Sequence, residues 1–203
     1  HNGRRRQRQM CIRDRLMNTT GANNVGVGRQ ALQENTTASN NTAVGYNSLL
    51  SNTTGANNVA IGSFALDANT TSNNLVAIGY GALTNSTGGA NVAVGKDALE
   101  ANTSGVQNVA IGTDALTSNT TGADNTAIGS NALDACTTGS NNTAGGGNAL
   151  GAMTTGGHNT AFGKGAGDAI TTASNNTAFG SHSLGSTTTG TKNVAVGREA
   201  MLS

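Results

Sequence analysis

The sequence predicts an all-β fold, a parallel β-solenoid (β-roll) with one coil per 17-residue repeat, and three observations carry that prediction. Glycine recurs at Gly28, Gly45, Gly62, Gly79, Gly95, Gly112, Gly129, Gly146, Gly163, Gly180 and Gly197, with nine of the ten spacings equal to 17 and one to 16. Each glycine closes a run such as Asn58-Val59-Ala60-Ile61-Gly62, followed by Ala65-Leu66 and by Asn69-Thr70-Thr71. The composition, 35% hydrophobic, 2% aromatic and 10% charged with 30 glycines and no proline, offers too little bulky side chain for an ordinary core. It also lacks the high charge of a disordered chain, so a periodic hydrogen-bonded backbone is the remaining way to hold it.

Counting each repeat from its asparagine, the second to fourth residues alternate β-branched and small, which predicts one short strand per repeat with the second and fourth positions on one face. Glycine at the fifth position predicts the same corner in every coil, one needing an unusual backbone angle or a close approach of chains. Ala65-Leu66 predicts a second strand or extended arm with leucine turned inward, and the Asn-Thr-Thr-Gly segment predicts a turn. Seventeen residues is too short for a helix pair, and glycine, asparagine and threonine at fixed places disfavour helix. Stacked at about 4.8 Å, eleven coils would form a rod roughly 50 Å long.

Stacking would align an asparagine ladder at the first position, Asn24, Asn41, Asn58, Asn91, Asn108, Asn125, Asn142, Asn159, Asn176 and Asn193, with Leu75 as its exception. Their amides would bond up and down the rod as in cross-β ladders. A second ladder reads Asn35, Asn52, Asn69, Asn85, Asn102 and Asn119, then changes to Cys136, Met153, Ile170 and Thr187. The single 16-residue spacing falls between Leu83 and Val92, a turn being the cheapest place to lose a residue.

Six of the eleven basic residues crowd into positions 1–15, and Arg5 to Asp14 can be spelled CGT CGG CAG CGT CAG ATG TGT ATA AGA GAC. That text resembles a synthetic adapter of transposase-based sequencing libraries, so residues 1–15 are expected to be a disordered artefact and 16–203 a single solenoid. The alternative is a basic arm for nucleic acid or a targeting peptide, although the apolar stretch of a signal peptide is missing. The half-repeat Asn18 to Asn23 stands in register directly after it and the last repeat stops at Ser203, so both ends are expected to be cut rather than capped. From Leu16 onward five basic residues face nine acidic ones, a net charge of −4, which argues against a nucleic-acid partner. No apolar run reaches the length of a membrane span, and Cys136 has no partner cysteine within the repeats, so neither membrane contact nor a disulfide framework is expected.

The residues that carry chemistry elsewhere form no constellation here. His158 and His182 occupy different repeat positions and would not stack into a metal ladder. Asp67, Asp97, Asp114 and Asp134 sit at variable turn positions, where they confer solubility, and Gly145-Gly146-Gly147 is a glycine-substituted coil with no lysine and hydroxyl residue behind it. Left-handed-helix acyltransferases need an apolar residue every sixth position, which this repeat lacks. No catalytic activity, metal or cofactor is therefore expected. Tyr46, Phe64 and Tyr80 follow the strand glycines and are either a ligand-binding patch or local turn cover.

With those residues in view, the chain resembles the head repeats of trimeric autotransporter adhesins, whose Asn-x-Ala-Ile-Gly strands stack into left-handed parallel β-rolls, and similar repeats of phage-like tail fibres. The resemblance rests on strands such as Asn108 to Gly112, repeated eleven times, and spans about 188 residues. It implies a non-catalytic adhesive or structural protein, extracellular and either anchored to the outer membrane at the cell surface or part of a virion fibre, forming a homotrimer and touching a host surface protein or glycan. The repeat is longer than the adhesin unit by the Asn-Thr-Thr-Gly turn, which bears on coil shape and on trimerisation. One physical hint also favours a trimer: both strand faces are uncharged, with valine or isoleucine on one and Ala43, Ala60, Ala77, Ala110 and Ala127 on the other, and one coil interior cannot bury both. An alternative function is an ice- or carbohydrate-binding array on the rows Thr36-Thr37, Thr53-Thr54, Thr70-Thr71 and Thr120-Thr121.

Overall fold

The computed structural model describes residues 17–202, so the reading of residues 1–15 falls outside the described residues. Eleven three-residue strands, Val25–Val27, Thr42–Val44, Val59–Ile61, Val76–Ile78, Val92–Val94, Val109–Ile111, Thr126–Ile128, Thr143–Gly145, Thr160–Phe162, Thr177–Phe179 and Val194–Val196 (β1 to β11), form one parallel sheet in sequence order. Equivalent repeat positions pair throughout, as in Ala60 with Ala77 and Ile61 with Ile78. There is no helix among the described residues, and the chain is an all-β parallel solenoid.

Vertical pairing does not stop at the strands. The Leu49 amide donates to Ala65 O at 2.9 Å, Ser51 to Asp67 O at 3.0 Å, and Thr53 to Thr70 O at 2.9 Å, so turns as well as strands bond rung to rung. This satisfies the backbone groups that a thin coil would otherwise bury unpaired.

The core is narrow and made of small rows. The third-position alanines, the eighth-position alanines and the ninth-position leucines are buried together, with Ala60, Ala65 and Leu66 fully enclosed. The expected second strand at Ala65-Leu66 is absent: each repeat has one strand, and Leu66 adopts φ +53°. The ninth-position leucines all lie between +51° and +56°, a left-handed conformation costing a bulky residue about 1 kcal/mol. The reason is geometric. An extended chain sends neighbours to opposite faces, and only a left-handed residue lets alanine and leucine both turn inward. Burial of the leucine, worth about 1.5–3 kcal/mol, outweighs the strain.

The two asparagine rows work differently from each other. At the first position Asn41 Oδ1 accepts from the Asn58 amide at 2.9 Å and its Nδ2 donates to Gly55 O at 2.9 Å, so most of this row bonds to backbone. Amide-to-amide bonds join it only from Asn125 to Asn193. At the twelfth position the side chains form a true amide ladder, Asn52 Nδ2 to Asn35 Oδ1 and Asn69 Nδ2 to Asn52 Oδ1, both 3.1 Å.

Asn85 does not belong to that ladder. Its side chain is exposed and donates to Glu100 O, while Ser86 fills the buried site and accepts from Asn102 Nδ2 at 3.4 Å. Thr87 and Gly88 both bond Thr103 O, so the residue missing from this coil is the second threonine of the turn, whose side chain points outward and supports nothing. The ladder ends at Cys136, which leaves Asn119 Oδ1 buried without a partner. Beyond it Met153 and Ile170 continue the row as packed apolar side chains, and Ile170 compensates for the leucine lost at Gly167.

Burial pushes the Cys136 thiol up to about 11, opposed by its contact with Gly139 O. A raised thiol pKa favours the protonated folded state. The stability it contributes is whole below the ordinary value near 9.0 and is lost as pH rises towards about 11. In a Cys11→Ser chain, Cys136 is expected to resist an aromatic disulfide reagent at neutral pH and to react only as urea opens the coils. Rapid labelling of the native chain would contradict its burial.

Candidate interaction surfaces

The strand presents its alanine inward and its bulky residues outward. Exposure at the fourth position is 39% for Ile61, 37% for Ile78, 47% for Ile128 and 43% for Phe179. The row reads Val27, Val44, Ile61, Ile78, Val94, Ile111, Ile128, Gly145, Phe162, Phe179 and Val196, with no polar residue in it. The one gap, Gly145, is covered by the ring of Phe162, which occupies the space a Cβ would take there and stacks on Phe179 at 5.3 Å between centroids. Beside it runs the second-position row of valines and threonines, half-buried through most of the rod. Ten steps of about 4.8 Å make this ridge about 50 Å long and, at two residues' width, about 500 Å², near the upper end of what a monomer leaves to water.

The threonine side of the coil is polar and partly self-satisfied. Thirteenth-position hydroxyls donate along the rod, Thr36 Oγ1 to Thr53 O at 3.0 Å and Thr120 Oγ1 to Thr137 O at 3.0 Å. The neighbouring row of Thr37, Thr54, Thr71 and Thr121 is exposed, but the deletion leaves no counterpart in the fourth coil, and Ser104 stands in the next. Where the residue is missing, a shallow groove of about 580 Å³ opens between Thr71, Asn73, Asn74, Gly89 and Gln107.

Tyr46, Phe64 and Tyr80 lie past the glycine corner and form one column. Tyr46 meets Phe64 edge to face at 5.3 Å, Phe64 meets Tyr80 in the same way at 5.7 Å, and the Arg29 guanidinium lies 5.5 Å from the Tyr46 ring centre. At its far end is a smaller cavity of about 180 Å³ that includes Asp67 and Asp97. In the sequence the aromatics and these acids share no motif. The shared signal was their position in successive coils.

His158 and His182 are held apart, at the seventeenth and seventh positions, and His182 Nδ1 contacts Ser181 Oγ at 2.9 Å. Asp97 pairs with Lys96 at 2.6 Å, whereas Asp134 sits near Asn131. Among the described residues no group of three histidine, cysteine or acidic side chains is placed to hold a metal ion, and no helix is long and apolar enough to cross a membrane. Comparison of the chain with protein-family models, with curated proteins and with solved structures finds no match.

Proposed function

We propose that this chain is a non-catalytic segment of a homotrimeric fibre or adhesive head, displayed outside the cell on a surface or a virion, with its polar turns available to a host protein or glycan. The observation that supports this reading is the apolar ridge from Val27 to Val196, its one gap at Gly145 covered by the Phe162 ring, on the outside of the coil. A solvent-facing position filled by valine, isoleucine or phenylalanine ten times in eleven costs solubility and is explained by a partner that covers it. A second solenoid of the same rise matches such a ridge along its whole length. Three chains around an axis cover both flanks of each ridge, which a flat pair does not. Many identical turns along one rod also suit weak multivalent contacts.

The threonine rows support an ice or carbohydrate lattice less well, because one row spends its hydroxyl protons on the backbone and the other is interrupted. The fibre reading expects no thermal hysteresis.

Sedimentation equilibrium tests the proposal. The chain is expected at three times its 20.0 kDa mass, and Ile78→Lys with Ile128→Lys at the monomer mass with its β signal retained. A monomeric parent chain, or a trimer indifferent to both lysines, would sink the reading.

A further inference from the structure

The seventh position of the repeat carries a side chain in most coils, among them Asn47, Phe64, Asp97, Asp114 and Asn131, but Gly81 has none. The vacancy is the cavity of about 180 Å³. Phe64 borders it from the coil before, Asp97 from the coil after, Tyr80 from the side, and Asp67 and Glu100 from the tenth-position row. At a second glycine of the same position, Gly165, the His182 ring comes within 2.9 Å of where a Cβ would be and fills the gap together with Asp168 Oδ2 at 3.1 Å. At Gly81 the group that leans in is the Asp97 carboxylate, so the hole stays lined by oxygen.

Charge and ring geometry then agree on the ligand. Three carboxylates surround the cavity, and the nearby ammonium of Lys96 is already engaged by Asp97 at 2.6 Å, leaving a net charge of about −2 beside two aromatic rings. Burial raises the pKa of Asp67, as expected for a carboxylate with no cation against it. The aromatic column itself shows the preference at its other end, where Arg29 lies over Tyr46. We infer that the Gly81 vacancy binds an organic ammonium group, held against the Tyr80 and Phe64 rings with its charge balanced by Asp67, Asp97 and Glu100. The site lies past the glycine corner from the apolar ridge.

The test is a two-dimensional NMR titration of the full chain with choline, with n-propylammonium, and with 3,3-dimethylbutanol, the uncharged isostere of choline. At least one ammonium compound is expected to shift the Gly81 amide and the Tyr80 ring saturably, with a dissociation constant of about 1–10 mM. The neutral isostere should bind at least about tenfold more weakly. Choline alone would assign a quaternary head group and propylammonium alone a lysine-like amine, and either result supports the inference.

Gly81→Asn refills the vacancy with the residue that already holds this backbone at Asn47, Asn131 and Asn148, with φ +54° to +59°. The carboxylate of Asp97 is the only close obstacle and can rotate away. This variant should keep its thermal midpoint and lose at least tenfold in affinity, and Tyr80→Ala should weaken binding a few-fold. Equal binding of the isostere, unchanged binding by Gly81→Asn, or no saturable shift well above the millimolar range would overturn it.

Discussion

Replacing Gly112 with valine is expected to break the rod at its middle coil. Gly112 has φ +138°, and its missing Cβ would lie 2.5 Å from Gly129 O, 2.6 Å from Gly129 C and 3.0 Å from Ser130 N. Those atoms are backbone of the next coil, bonded in turn to the coil beyond, so nothing flexible can give way. Backbone strain of about 1–3 kcal/mol adds to the steric cost, and a total above about 4 kcal/mol is expected. In a stack where each coil touches only its neighbours, such a defect separates the two halves rather than lowering stability evenly. Urea unfolding should split into two transitions, and hydrogen exchange should rise first around residues 95–130.

Gly197 supplies the control. It has φ +122° but nothing within 4 Å of a Cβ, so Gly197→Val should show the strain without the collision. Asp114→Ser, at an outward turn with φ +56°, should change little. If Gly112→Val and Asp114→Ser cost the same, coils do not stack in the way described.

The second large effect is expected at Asn108. Its amide donates to Asn91 Oδ1 at 2.8 Å, its Nδ2 to Gly122 O at 2.8 Å, and its Oδ1 accepts from the Asn125 amide at 3.0 Å, all fully buried. Asn108→Ala leaves the buried Asn125 amide without a partner, takes one of two donors from Gly122 O, which keeps Asn119 Nδ2 at 3.0 Å, and opens a hole, for about 3 kcal/mol. Asn108→Leu should cost less, because Leu75 fills the same position within this chain at no exposure and keeps its own amide bond to Asn58 Oδ1 at 2.9 Å. The urea midpoint of each variant checks the order. Both variants lose the same side-chain bonds, so leucine proving worse than alanine would mean that this coil has no room for the side chain that Leu75 packs in its own.

Much of the fold was legible because each signal occurs eleven times. A glycine that recurs at one spacing must meet the same neighbour in every coil, so period, strand and corner follow from the text of a single repeat. The errors arose where a residue's role is set by the coil above it. Asn85 reads as a member of the buried ladder by its type, but the hydrogen bonds put the missing residue between Thr87 and Gly88 and Ser86 at the buried site. Ala65-Leu66 reads as a strand or extended arm with leucine inward, but the structure turns both residues inward, which no regular strand does, and the left-handed leucine that allows it has no sequence signature.

The candidate surfaces divide in the same way. That one strand face would be left over was readable, since both are uncharged. Which face it was could not be read from local pattern: alanine goes inside because coils this narrow hold only a methyl group opposite the leucine row, and isoleucine and phenylalanine are left outside. The covering of Gly145 by Phe162 and the cavity at Gly81 likewise exist only between coils. The sequence by itself determined the repeat, its strand and its glycine corner, which are properties of one coil. The tertiary structure decided the inward face, the deletion site and the cavity, because each is a relation between residues about seventeen apart that only stacking brings within reach.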